Sequence, residues 1–137
     1  MERGELWWAQ FDEKRPVVLL SDGVGPEIRA MQIVPPATPA EKRGFVVMSG
    51  DQALDAANRR RTVEEAGRVR AVGIEVFFGE PEGLAAEGVV RVALPQEGAR
   101  FCTWAASLTE ESLIERIGVC SPGKLHELEV ALELAGA

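Results

Sequence analysis

Arg15, Arg29, Lys42 and Arg43 are the residues of this chain best suited to chemistry, and the chemistry they suit is that of a phosphate ester. A guanidinium offers a fixed fork of N–H donors to two phosphate oxygens and keeps its charge, while a lysine adds a compact positive point. All four lie in residues 1–50, which hold 7 acids and 6 bases. Residues 75–137 hold 11 acids and 4 bases, and the whole chain carries a net charge of −7. A protein that coats nucleic acid shows a broad basic footprint. This chain does not, so a small local phosphate site is what the charge pattern allows. The single histidine, His126, and the two cysteines, Cys102 and Cys120, have no metal-ligand spacing. No metal or cofactor is expected. His126 is read as solvated or packed, and the cysteines as buried or half-buried thiols outside any disulfide framework.

The elements that would position these cations follow from pattern. Residues 4–11 and 16–21 are rich in Trp, Val, Leu and Phe and predict two strands, joined by the short polar turn Asp12–Arg15. Asp22–Pro26 is a turn by its glycine and proline content. Residues 28–34 predict a third strand, stopped at Pro35-Pro36, and 44–48 a fourth. Residues 50–72 have helix formers and the run Arg59-Arg60-Arg61, read as a solvated helix face. A helix there would pack through Leu54, Ala57 and Val63; the alternative reading is a mobile insertion. Residues 73–78, 88–94 and 100–106 predict strands. Ser107-Leu108-Thr109-Glu110 matches a capping box and predicts a helix over 108–115, with Ile117–Cys120 a brief edge strand. Ser121 as N-cap, Pro122 in the first helical position, and Leu125, Leu128, Leu132 and Ala135 on one face predict an amphipathic terminal helix.

At 137 residues this is one domain, with residues 50–72 as an insertion. The fold class is α+β but mostly β, a twisted antiparallel sheet curled into an SH3-like partly closed barrel with short helices. No run approaches the roughly 18–20 apolar residues of a membrane span. The start Met1-Glu2-Arg3 has no signal-peptide pattern, so a cytoplasmic location is expected.

Three segments resemble the MazF/PemK (Kid) family of toxin endoribonucleases. Arg3-Gly4-Glu5-Leu6-Trp7 followed by Arg15-Pro16-Val17-Val18-Leu19-Leu20-Ser21 is similar to the family's R-G-[DE]-[IL]-W and R-P-V-V-hydrophobic-Ser strands. Ile33-Val34-Pro35-Pro36-Ala37-Thr38 is similar to its V-V-P-[LVI]-[ST] strand end. Leu113–Pro122, with Arg116-Ile117-Gly118, is similar to its closing R-I-G segment. The resemblance implies a CcdB/MazF-like barrel that forms a homodimer. It also implies metal-independent, ribosome-independent cleavage of single-stranded mRNA, and neutralisation by a cognate antitoxin protein. It makes Arg15 and Thr38 catalytic, Arg15 as transition-state stabiliser and Thr38 as its orienting partner. Lys14, Ser21, Lys42, Arg43 and Trp104 are the residues expected to bind substrate, Trp104 by stacking on a base.

The chain departs from the family pattern in three places. Its first loop is short, the link from Thr38 to Gly73 is long, and Arg100-Phe101-Cys102-Thr103-Trp104 stands where the family carries D-Q-[IV]-[RK]. Fold alone does not fix function. The alternative is a non-catalytic binding module on the same fold, either a gyrase-binding toxin of the CcdB kind or a degenerate toxin acting through protein contacts.

Overall fold

The computed structural model describes residues 1–21, 27–67, 71–94 and 105–136. Among these residues eight strands form two sheets, three helices pack on them, and no closed barrel results. The mostly-β expectation with short helices and a terminal helix therefore holds. None of the described helices is long and apolar enough to cross a membrane.

The first hairpin forms where apolar alternation predicts it. β1 (Glu5–Gln10) pairs antiparallel with β2 (Lys14–Leu19), with Trp7 opposite Val17 and Ala9 opposite Arg15. The loop is closed by Phe11 N–H donating to the Glu13 carbonyl at 3.1 Å. Lys14 and Arg15, expected in the turn, are the first two residues of β2. β3 (Ile28–Gln32) adds to β2, and β7 (Ala105–Leu108) and β8 (Leu113–Val119) complete the order β7-β3-β2-β1-β8. The second sheet is β4 (Phe45–Ser49), β5 (Ala71–Phe78) and β6 (Gly88–Ala93), with β4 parallel to β5 and β6 antiparallel to it.

Two expectations fail on tertiary context. Residues 108–115 form no helix. Leu108 closes β7 opposite Ile28, a 3₁₀ turn covers Glu110–Ser112, and β8 starts at Leu113. Pairing with β3 on one side and β1 on the other satisfies the backbone that a capped helix would otherwise satisfy. Residues 50–72 hold two helices, α1 (Gly50–Ala53) and α2 (Ala56–Ala66), each with its own N-cap, Ser49 and Asp55. They bury Ala53 and Ala66. Leu54, Ala57 and Val63, expected to pack, are exposed. The arginine run is only partly a solvated face. Arg59 Nη1 donates to the Ala53 carbonyl at 2.6 Å and so satisfies the end of α1.

Most of the core lies between the two sheets and α3 (Pro122–Leu134). Leu6, Val18, Ile74, Val76, Phe78, Val90 and Leu128 meet there, each at most 1% exposed. Ser121 caps α3 as expected, accepting from Lys124 N at 3.1 Å. Leu125, Leu132 and Ala135 flank the buried Leu128 and Ala131. A second cluster of Ala9, Val17, Leu19, Ile28, Ala30 and Leu108 occupies the opposite face of the five-stranded sheet. Cys120 is a buried free thiol, and Cys102 lies outside the described residues, as does the predicted turn Asp22–Pro26.

β8 is held to the 3₁₀ turn Glu80–Glu82 by backbone contact. A Cβ on Gly118 would strike the Glu82 carbonyl, and one on Gly83 would meet the Ile117 carbonyl at 2.6 Å. Neither neighbour is a side chain that can swing away. Gly118→Ala is therefore expected to lower stability by about 1–3 kcal/mol through overpacking. Chemical denaturation checks this, and an unchanged midpoint would show that β8 and the turn can separate freely.

Candidate active site

Arg15 alternates along β2 with Val17 and Leu19, so its side chain leaves the sheet on the face of the second cluster. Its neighbour Lys14 leaves on the opposite face, where its Nζ lies 4.9 Å from the centroid of the Trp8 ring. The two cations cannot serve one site through the same sheet face. The Arg15 guanidinium meets Glu13 at 3.0 Å, a pair 42% and 70% exposed. Such a surface pair contributes about 0–1 kcal/mol, so an arriving phosphate can displace the carboxylate.

The chain runs from β3 to Thr38 by a defined route. Beyond β3, Ile33 N–H donates to the Pro16 carbonyl at 2.9 Å, so the chain follows β2 to the residue beside Arg15. Val34 then leaves the first sheet and exchanges two backbone hydrogen bonds with Val89 of β6, at 2.9 and 2.7 Å. The chain crosses onto the outer face of the second sheet and turns at Thr38. Among the described residues no hydrogen bond or ion pair joins Thr38 to Arg15. Arg15 leaves on the second-cluster face of the first sheet and Thr38 caps a turn on the outer face of the second, so the structure does not bring the two side chains together.

The Thr38 turn is a capping box. Thr38 N–H donates to Glu41 Oε1 at 3.1 Å, and Glu41 N–H donates to Thr38 Oγ1 at 3.2 Å. Pro39 sits in the position whose N–H would have no partner. The box closes with Lys42 N–H donating to the Thr38 carbonyl at 3.0 Å. Hydrogen bonds from the Thr38 backbone and then its side chain, opposed by slight desolvation and aided by Arg91, hold the Glu41 carboxyl below its ordinary 4.5. Arg91 meets Glu41 Oε2 at 3.3 Å. The exposed Thr38 hydroxyl is thus oriented by Glu41 and reachable from solvent.

Lys42 and Arg43 lie in the same turn. Lys42 Nζ pairs at 3.2 Å with Glu75, which is 1% exposed on β5. Arg43 is exposed. Ser21 does not join them. It stands six residues beyond Arg15, about 20 Å along an extended strand, and its Oγ accepts from Arg29 N at 2.9 Å. Trp104 lies outside the described residues. Arg29 lines a separate hollow with Arg3, Met31, Glu129 and Glu133, where Arg3 meets Glu129 at 3.4 Å. A further hollow, lined by Glu80, Glu82 and Glu87 with Phe77 and Lys124, is too acidic to attract a phosphate. His126 is exposed on α3. Among the described residues no cluster of His, Cys, Asp or Glu could hold a metal ion.

Sequence reasoning missed Glu41, Glu75 and Arg91. The T-P-A-E pattern at Thr38–Glu41 is the signal that was available for the first. Glu75, a charge inside the apolar run Gly73–Phe78, carried a weaker one.

With this geometry in hand, the mostly-β two-sheet fold can be placed among known structures. No protein-family model matches the chain, and no curated protein matches it. One solved structure that it resembles is an endoribonuclease in complex with its cognate antitoxin from Mycobacterial species. The TM-score is 0.53 at 11% identity, over 98% of this chain and 91% of that one. At that identity the likeness is one of fold.

The box makes a pH prediction. A carboxyl held low when folded adds stability to the turn above its ordinary 4.5, and that stability is lost as pH falls through the lowered value. In an NMR titration Glu41 is expected to titrate below 4.5, and to move back toward it in Thr38→Val, which keeps the backbone donor. An identical titration in both proteins would mean the hydroxyl does not engage Glu41.

Proposed function

We propose that this protein is the toxin of a type II toxin–antitoxin system, an endoribonuclease of the MazF/PemK kind that cleaves single-stranded mRNA at a short sequence without a metal. The observation that carries this reading is the likeness of fold to an antitoxin-bound endoribonuclease over 98% of the chain. The β1–β2 hairpin, which carries Arg15 at the start of its second strand, supports it locally.

In the proposed reaction the 2′-oxygen attacks the adjacent phosphorus and loses its proton. The bond from phosphorus to the 5′-oxygen breaks, and that oxygen takes up a proton. The products are a 2′,3′-cyclic phosphate and a free 5′-hydroxyl. Arg15, released from Glu13, faces the charged phosphorane with its fork of donors. Thr38, freed from Glu41, donates a hydrogen bond to the RNA. Arg43, and Lys42 as far as Glu75 leaves it free, add positive charge along the RNA backbone. The partners proposed are the RNA substrate, a cognate antitoxin and a second copy of the chain. The whole chain acts as one domain, with α1 and α2 as its insertion, in the cytoplasm.

A second reading has its own observations. The Arg15 and Lys42 cations are each engaged by a carboxylate of the same chain, and the net charge is −7. Both favour a non-catalytic module that binds a protein such as gyrase. Incubation with a long unstructured RNA in EDTA separates the two. Wild type is expected to release discrete fragments ending in 2′,3′-cyclic phosphate, and Arg15→Ala to cleave about 10²–10³-fold more slowly. Intact RNA with saturable binding to gyrase would establish the second reading instead.

A further inference from the structure

Glu75 lies mid-strand in β5 with Ile74 and Val76 on either side, and it is 1% exposed. Isolating a carboxylate there costs several kcal/mol unless its oxygens are bonded. Both are. Oε2 accepts from Ala37 N at 3.0 Å, and Oε1 meets Lys42 Nζ at 3.2 Å. Ala37 is the residue immediately before Thr38, and Lys42 the residue immediately after Glu41. One carboxylate therefore grips the Thr38 box at both ends. Across the sheet from Glu75 stands Arg91, which holds Glu41 inside the box. The four charges alternate in sign around the turn.

A buried ion pair adds little net stability, since an apolar pair of similar volume often does as well or better. What it adds here is position. Ala37 is 7% exposed, and an apolar residue at 75 would leave its N–H without an acceptor. We propose that Glu75 is a positioning residue of the candidate active site, fixing where Thr38 presents its hydroxyl. This rests on the nuclease reading for its catalytic consequence but not for its structural one. Glu75 touches no substrate and acts through Thr38.

The test uses Glu75→Gln, which keeps the shape and one oxygen for Ala37 while turning an amide toward Lys42. The double variant Glu75→Gln/Lys42→Met removes the facing cation, so that the buried site carries no unpaired charge if the single change alone unfolds the protein. Two readouts are needed. In the first, hydrogen exchange of the Ala37 and Glu41 amides is expected to speed up about tenfold or more in either variant, with the β1 and β2 amides unchanged. In the second, kcat on a short oligonucleotide with one cleavable ribonucleotide is expected to fall about 10- to 100-fold in Glu75→Gln with KM little altered. The same change made in Thr38→Val should have no further effect. Full protection of both amides overturns the proposal whether or not RNA is cut. An equal loss of kcat in the Thr38→Val background overturns the route through Thr38. Loosened amides in a protein whose wild type cuts no RNA leave Glu75 as the anchor of the turn and overturn the nuclease reading instead.

Discussion

The pair of hydrogen bonds between Val34 and Val89 is the joint on which the arrangement depends. Up to Gln32 the chain belongs to the five-stranded sheet, and from Phe45 it belongs to the three-stranded one. The Val34–Val89 exchange lies between. It requires the two sheets to approach closely, which is why Gly88 carries no side chain. A Cβ there would sit 2.5 Å from Ile33 Cγ2. Immediately beyond the joint, Pro35 and Pro36 cannot extend a ladder, so the chain must leave the sheet. It is caught again at Ala37 by Glu75. Crossing, exit and capture occur within four residues. Their product is a hydroxyl turn held on the outer face of the second sheet, on a chain that passes Pro16 of β2 at Ile33.

Charge follows the same economy. The chain is acidic, yet three cations around the candidate site face an acid of their own: Arg15 with Glu13, Arg91 with Glu41, Lys42 with Glu75. These pairs are not equivalent. The first is exposed at both ends and contributes little. The last has one end fully buried, and removing Lys42 from it would leave a carboxylate uncompensated. Arg15 is therefore the cation free to change partners, and Lys42 is held in place. Such a site keeps its form without substrate and exposes positive charge only locally. That is compatible with cutting RNA at a chosen point and unsuited to coating it.

The parts of the fold legible in the sequence are those whose pattern needs no partner to interpret. The β1–β2 hairpin follows from alternation around a short polar loop, and α3 follows from Ser121, Pro122 and the spacing of Leu125, Leu128 and Leu132. Ser107-Leu108-Thr109-Glu110 carries as good a helix signal as Ser121 does, and it fails. Leu108 finds Ile28 of β3 opposite it, and that long-range pairing outweighs a local cap. The reverse happened at Thr38. A box of the same kind was present, but a strand-end motif ran through it and hid it. In residues 50–72 the helix-forming composition was visible. Which apolar residues face the core was not, because a four-residue helix leaves no periodicity to follow. Glu75 was beyond reach for a different reason. Its meaning lies in the register of β5 against the crossing segment, and register is set by contacts 38 residues apart in sequence.

The identity of that last residue bears on what the site is. A fold of this kind needs only a tight crossing and a filled outer face on the second sheet, and Phe45, Val47 and Ala93 already supply apolar filling beside Ala37. An apolar residue at position 75 would complete that face without burying a charge, though the Ala37 N–H would lose its acceptor. It would also let the Thr38 turn slide, since side-chain packing is indifferent to small shifts where a carboxylate held by an N–H and an ammonium is not. A charge buried at this point therefore argues for a turn whose placement matters more than its contribution to stability. On the proposed nuclease reading, a hydroxyl that must meet a phosphorane creates that requirement. A surface that only covers a partner tolerates the slide.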